Sequence, residues 1–205
     1  MNNSYQQNII ESYNNMATER NLVKLQDWKV KERTIFLNEI KSDNYSRLLE
    51  IGAGTRKDSL YFKDEGLHPI CTDISPEMVK ICKEKGLDAQ VMSFYHLEFP
   101  DNHFEAIWAL NCLLHVPKES IRTVLQEMKR VLITGGLFYL GVYGGENHEG
   151  IWEEDPYNPK RFFSFYDDES IKELLSEFFY IEYFNVVSKE VVGGKYHFQS
   201  IILRK

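Results

Sequence analysis

The run Leu48-Leu49-Glu50-Ile51-Gly52-Ala53-Gly54 places an acid and two glycines, one residue apart, at the end of an apolar stretch. Such a stretch reads as a buried strand, and the glycines let the backbone turn tightly beside a ligand. Asp73 follows about twenty residues later, at the end of a second apolar run. A carboxylate at that spacing can accept both hydroxyls of a ribose. Asn111 and His115 follow a further apolar run, Phe104 to Leu110. His115 is the candidate catalytic base, because imidazole titrates near neutrality; packing against its own loop is the competing reading. His148, in the Gly144–Gly150 segment, is a second histidine within reach of such a site, whereas His68, His96, His103 and His197 read as strand or turn residues. No spacing of histidines and acids suggests a metal site, so no metal is expected. Cys71, Cys82 and Cys112 are odd in number and far apart, as expected of free buried thiols.

The glycine turn must be matched to a ligand. A phosphate-binding loop of the G-x-x-x-x-G-K-[ST] type is absent, since Lys57 stands at the wrong offset from Gly52. A dinucleotide fingerprint, G-x-G-x-x-G, has its first two glycines but carries Lys57 at the third. That third glycine lets a helix pack close beneath a pyrophosphate, so a ligand without one relaxes the need. S-adenosylmethionine is such a ligand, with an adenosine and an amino-acid tail but no phosphate. Glu50 would sit badly against a pyrophosphate and suits an ammonium group. Asp73 alone does not separate this cofactor from a nicotinamide dinucleotide.

Elements that alternate must position these residues. The first forty residues have helical spacing at Leu22, Leu25, Trp28, Ile35, Phe36 and Ile40, ending before Ser42-Asp43-Asn44. Strands are expected at 47–52, 68–73, 88–92, 104–110 and 137–143, the last begun by a turn at Gly135-Gly136. Helices are expected at 56–65, 76–85 (capped by Ser75) and 119–132, and another opening at Asp167 with Ile171, Leu174, Leu175 and Phe178 inward. Runs 180–188 and 196–204 flank Val192-Gly193-Gly194-Lys195, a hairpin signal. The alternation implies an α/β fold, a mostly parallel sheet covered on both faces with an antiparallel strand at or near one edge.

Composition sets the outer limits. The chain has 205 residues, 43% of them hydrophobic, and a formal net charge of −7. The acidic balance argues against nucleic acid as a partner. The apolar runs are too short to span a membrane, and MNNSYQQNII lacks the pattern of a secretory signal, so a cytoplasmic protein without a membrane partner is expected, as monomer or homodimer.

The stretches LLEIGAGTRKDSLYF, ICTDISPEMVKIC and FPDNHFEAIWALNCLLHVPKES, in this order, resemble the class I S-adenosylmethionine-dependent methyltransferases of the small-molecule type over about residues 45–143. The resemblance implies a Rossmann-like, doubly wound, seven-stranded sheet, mostly parallel with its last strand antiparallel and inserted beside the fifth. It implies one methyltransferase domain over 1–205: an N-terminal helical cap (1–42), a cofactor-binding core (45–143), a substrate-loop insertion (144–166), and a C-terminal helix and β-hairpin (167–205). Glu50, Gly52, Ala53 and Gly54 would line the methionine part of S-adenosyl-L-methionine, Asp73 its ribose, and Ile74 and Met78 its adenine. Ser93, where the family commonly has Asp, and Phe94 would meet the adenine edge, and Asn111 would approach the methionine end from the other side. Arg56 stands at the place of a third family glycine, either pointing out or reaching the cofactor carboxylate.

Methyl transfer is an in-line displacement, in which the cofactor supplies reactivity and the protein positions the acceptor. Tyr13 is the candidate lid over the cofactor. Tyr143, Trp152 and Arg161, in the aromatic-rich stretch 143–166, are the candidate substrate contacts for a small acceptor with an apolar body, to which Arg161 would add a preference for an anion; pairing of Arg161 with Glu153 or Asp155 is the competing reading. The alternatives are an NAD(P)-dependent oxidoreductase, against which Lys57 and the lack of a Tyr-x-x-x-Lys pattern count, and a protein that binds S-adenosylmethionine without catalysis. A nucleic-acid methyltransferase is disfavoured by the acidic charge and by Asn111-Cys112-Leu113-Leu114 where an Asn/Asp-Pro-Pro-Tyr/Phe loop would stand.

Overall fold

A computed structural model of the protein describes residues 3–55 and 57–205. Strands β1 (Arg47–Ile51), β2 (His68–Asp73), β3 (Asp88–Val91), β4 (Phe104–Leu110), β5 (Leu132–Gly144), β8 (Tyr180–Val187) and β9 (His197–Arg204) form one sheet in the order β3-β2-β1-β4-β5-β9-β8. β1 to β5 pair in parallel, and β9 runs antiparallel between β5 and β8. This is the seven-stranded, doubly wound sheet expected. The chain order reverses between β1 and β4, and a doubly wound sheet opens its ligand crevice at such a point.

Both faces of the sheet are covered. On one, helix α3 (Asp27–Ser42) turns Phe36, Leu37 and Ile40 onto Leu48, Trp108 and Tyr139, with Phe62 of α4 (Lys57–Asp64) closing the layer. On the other, α6 (Ile121–Val131) buries Ile121, Val124, Leu125, Met128 and Val131, the i, i+3, i+4, i+7 set visible in the sequence. Helix α5 (Pro76–Glu84) starts where expected, with the Ser75 hydroxyl accepting from the Met78 amide at 3.2 Å. Helix α7 (Asp168–Ser176) starts the same way, Asp167 accepting from the Ser170 amide at 2.7 Å.

Several expectations fail for identifiable reasons. The N-terminal forty residues form three helices, α1 (Asn3–Asn15), α2 (Ala17–Leu22) and α3, rather than one or two. Leu22 is 79% exposed, because α2 turns Arg20 inward instead. Gly135-Gly136 does not precede β5 but lies within it, where the pairing with β4 slips between Phe104 and Ala106. A side chain at Gly136 would meet Leu132 at 2.8 Å, so the glycine permits the irregularity. β8 and β9 are joined by a short helix, α8 (Lys189–Val192), with Gly193 left-handed at φ +76° behind it, and not by a tight hairpin. Phe178 lies past the end of α7 and is half-buried, and Phe179 takes the fully inward place. Segment 144–166 is a two-stranded ribbon, β6 (His148–Ile151) with β7 (Phe162–Phe165), rather than an open loop.

Candidate ligand site

The turn after β1 is shaped by positive φ angles, +63° at Gly52 and +53° at Gly54. A Cβ at Gly52 would lie 2.4 Å from that of Cys112, so the β4 end packs directly on the turn. The Ala53 amide donates to the Thr72 carbonyl (3.0 Å) and the Gly54 amide to Asp73 Oδ2 (2.8 Å). The Ser75 amide donates to Asp73 Oδ1 at 2.9 Å. Asp73 is thereby fixed by backbone donors on both oxygens, and each oxygen keeps acceptor capacity for a ligand. Burial raises its pKa against the lowering effect of those donors.

A cavity opens at the carboxyl ends of β1, β2 and β4. Gly52, Gly54, Asp73, Ile74, Phe94 and Asn111 line it, with Tyr13 and His115 on the far wall. Asn111 is held left-handed at φ +56°. Its Oδ1 is buried without a hydrogen-bond partner, an acceptor aimed at a ligand rather than at the protein. Glu50 and Ala53 line a connected cavity that shares Gly52, Gly54 and Asn111 with the first. The Ser59 hydroxyl donates to Glu50 Oε2. Burial holds the Glu50 carboxyl well above the usual carboxylate range, and the neighbouring Cys71 and Asp58 push the same way.

Two adenine-side expectations are not met by the geometry. Met78 is fully buried and lines neither cavity, because its place on α5 faces the core. Ser93 is also absent from the lining; its hydroxyl accepts from the Tyr95 amide at 3.3 Å in a local turn, and Met92, Phe94 and Tyr95 form the wall there. Arg56 lies outside the described residues.

A third cavity carries Tyr143, Trp152 and Arg161, and meets the first at Tyr13, Arg20, Asn111 and His115. His115 Nδ1 lies 2.7 Å from the Phe162 carbonyl, an acceptor only, so Nδ1 carries the proton. Nε2 then accepts from the Tyr13 hydroxyl at 2.8 Å. Burial, followed by the nearby Arg161 charge, pushes the His115 pKa down to about 3, so the ring is neutral. Both ring nitrogens are therefore engaged, and a ligand meets His115 through Tyr13. The Tyr13 hydroxyl in turn accepts from Arg161 Nη1 at 2.9 Å. Arg161 grips Asp155 with two hydrogen bonds, Nε to Oδ2 at 2.9 Å and Nη2 to Oδ1 at 2.8 Å. Its charge is thus neutralised, which favours the pairing reading over a substrate cation. His148 sits on the ribbon against Phe165 and Tyr196 and lines neither the first nor the third cavity.

Arg20 and Lys29, which the sequence did not single out, both line the site. Arg20 borders all three cavities, donates to the Tyr157 hydroxyl at 2.7 Å, and keeps a buried Nε without a partner. Lys29 borders the second and third cavities. On α1, Gln6, Ile9 and Tyr13 follow i, i+3, i+7 spacing, a signal that was present in the sequence.

The strand order, the inserted antiparallel strand and a crevice at the β1/β4 switch point define a Rossmann-like methyltransferase fold. Residues 49–140 match the family model described as a methyltransferase domain. That stretch covers the second to fourth strands and most of the first and fifth, and over it the chain is similar to S-adenosylmethionine-dependent methyltransferases. It is 29% identical over 134 residues to an uncharacterised protein of Methanocaldococcus jannaschii, covering 64% of this chain and 62% of that one. It is 31% identical over 121 residues to the Homo sapiens protein named probable tRNA methyltransferase 9B, covering 58% of this chain and 26% of that one. The chain thus spans less than two thirds of either relative. The Burkholderia thailandensis 1,6-didemethyltoxoflavin-N1-methyltransferase, solved with bound 1,6-didemethyltoxoflavin and S-adenosylhomocysteine, shares the fold with a TM-score of 0.68. That match is 18% identical and covers 85% of this chain and 76% of that one.

Proposed function

We propose that the protein transfers a methyl group from S-adenosylmethionine to a small-molecule acceptor. The observation that carries this reading is the junction of cavities: the glycine turn, Asp73 and the unpartnered Asn111 Oδ1 on one side open onto an aromatic chamber at Tyr13 and His115. The residues present fit the cofactor. Asp73 would accept from the ribose hydroxyls, and Ile74 and Phe94 would flank the base. Asn111 Oδ1 and Glu50 would face the ammonium of the amino-acid tail, and Arg20, through its unpartnered Nε, the carboxylate. Bound there, S-adenosylmethionine would supply an electrophilic methyl on a sulfonium, so the protein has mainly to orient the acceptor and exclude water.

The tautomer of His115 sets what the chain offers the acceptor. Tyr13 is the group that touches it, its hydroxyl donating to His115 Nε2 and accepting from Arg161 Nη1. With its pKa pushed down to about 3, His115 is no proton sink near neutral pH; it positions the Tyr13 hydroxyl, and an acceptor that must lose a proton gives it to water.

Calorimetry with S-adenosylmethionine, S-adenosylhomocysteine and NAD tests the reading. The two sulfur cofactors should bind and NAD should not; the reverse order would overturn it. Asp73→Ala should weaken S-adenosylhomocysteine binding by about tenfold or more, the loss of charge-assisted hydrogen bonds of roughly 1.5–3 kcal/mol.

A further inference from the structure

The chamber beyond the Tyr13–His115 junction differs in charge from the molecule that contains it. The chain carries a net charge of −7, yet Arg20, Lys29, Arg161 and Lys195 line this chamber and no Asp or Glu does. Arg161 is neutralised by Asp155, and its guanidinium lies 3.6 Å over the Tyr157 ring. Arg20 faces the glycine turn as well and is allotted above to the cofactor carboxylate. Lys195 stands exposed at the rim, 5.4 Å over the Tyr196 ring.

Lys29 is the remaining cation, and it lies deeper. Its own helix offers it the Trp28 ring, 5.1 Å from Nζ. The charged groups that face it are Asp58 and Lys57 of α4 and Arg20 of α2. Asp58 attracts it but forms no ion pair with it; its two oxygens accept instead from Arg33 Nη1 (3.0 Å) and Trp108 Nε1 (3.2 Å). Among the described residues Lys29 makes no ion pair and no hydrogen bond through its ammonium. Burial, with Arg20 and Lys57 adding repulsion, pushes its pKa down to about 8. A desolvated ammonium without a counter-ion is costly unless an anion arrives to pair with it. The chamber has a volume of about 340 Å³ and walls of Tyr143, Trp152, Phe163, Phe165 and Tyr196. Such walls take a flat apolar body and leave its acid group to the cation.

We propose that the methyl acceptor is a small aryl acid whose carboxylate or phosphate is bound by Lys29, with its ring among the aromatic walls. This rests on the methyltransferase reading above. It accounts for a lysine that lines the acceptor chamber and makes no ion pair among the described residues.

The test is calorimetry on the full chain saturated with S-adenosylhomocysteine, using benzoate, phenyl phosphate and benzamide as probes. At least one anion should bind about tenfold tighter than neutral benzamide, a difference of ~1.4 kcal/mol; which anion binds tighter identifies the acid group. Lys29→Met should remove that preference, Lys29→Arg should keep it, and both should bind S-adenosylhomocysteine as the unsubstituted chain does. Thermal melting checks the fold, and Lys29→Met should melt no lower, because it removes a desolvated charge. Equal binding of benzamide and both anions, no binding of either anion, or a preference that survives Lys29→Met would overturn the proposal. So would loss of S-adenosylhomocysteine binding in Lys29→Met with anion binding intact, which would give Lys29 to the cofactor. Failure of the unsubstituted chain to bind S-adenosylhomocysteine would overturn the cofactor reading instead, and the same probes on the ligand-free chain would then decide this one.

Discussion

His115 is 6% exposed and hydrogen-bonded at both nitrogens, by the Tyr13 hydroxyl and the Phe162 carbonyl. A protonated ring would have to donate from Nε2, but Tyr13 is already donating there and Arg161 adds a positive charge nearby. Burial, followed by the Arg161 charge, holds the folded-state pKa near 3 against the raising effect of the Phe162 carbonyl; the unfolded chain has about 6.5. The sign follows. As pH falls, the unfolded chain takes up the proton first, so the stability His115 contributes is present above about pH 6.5 and is lost as pH falls toward 3. Between pH 7 and 5 this amounts to about 2 kcal/mol. Denaturant melts of the protein and of His115→Gln should therefore diverge in pH dependence, with the variant losing about 2 kcal/mol less over that interval. Parallel curves would mean that the ring is protonated in the fold.

At the scale of elements, the β1 turn and the start of the loop after β4 are fitted to each other. Gly52 and Gly54 both have positive φ, but only Gly52 faces an obstacle, the Cys112 Cβ at 2.4 Å; the nearest atom at Gly54 is 3.9 Å away. Gly54→Ala should cost about 1–2 kcal/mol for its left-handed backbone alone. Gly52→Ala should cost about 1–3 kcal/mol more, from overpacking. The obstacle is a Cβ, so a double-mutant cycle should show coupling with Cys112→Gly and none with Cys112→Ala; coupling with both would place the strain at the sulfur. The turn, Asp73 and Asn111 were legible in the sequence because each follows directly on its own strand. Parallel strands buried on both faces read as short apolar runs, and β1 to β4 fell where those runs lie. β5 was read as starting five residues late because Gly135-Gly136, which ordinarily signals a turn, here relieves a pairing irregularity inside the strand. Arg20 and Lys29 were not legible: they lie on polar helices and gain their role only from what packs above them. Ser93 lies off the cavity lining expected of it because one residue along a loop separates a side chain that faces the cavity from one that caps its own turn.

For the molecule as a whole, the site is closed by two segments that are far apart in the chain. The Tyr5 and Phe162 rings pack at a tilt with centroids 4.9 Å apart, Ser12 donates to the Pro159 carbonyl, and Asn15 Nδ2 donates to the Asn158 carbonyl at 3.1 Å. Tyr13 meets Arg161, and Arg20 meets Tyr157. The connection between β6 and β7 has few backbone hydrogen bonds of its own, among them Trp152 to Arg161 at 3.1 Å and Asp155 to Trp152 at 3.0 Å. It borrows its order from α1 and α2, which in turn lie over the cavity rather than over the core. Such segments open at a lower free energy than the sheet beneath them. Residues 3–22 and 152–163 should therefore behave as one cooperative unit in amide hydrogen exchange, slowing together when S-adenosylhomocysteine binds. Tyr5→Ala should speed exchange in 152–163 as well as in α1 while β1, β4 and β5 stay protected. Faster exchange confined to α1 would mean that the connection between β6 and β7 is held by the ribbon alone, and that the two walls of the site open independently.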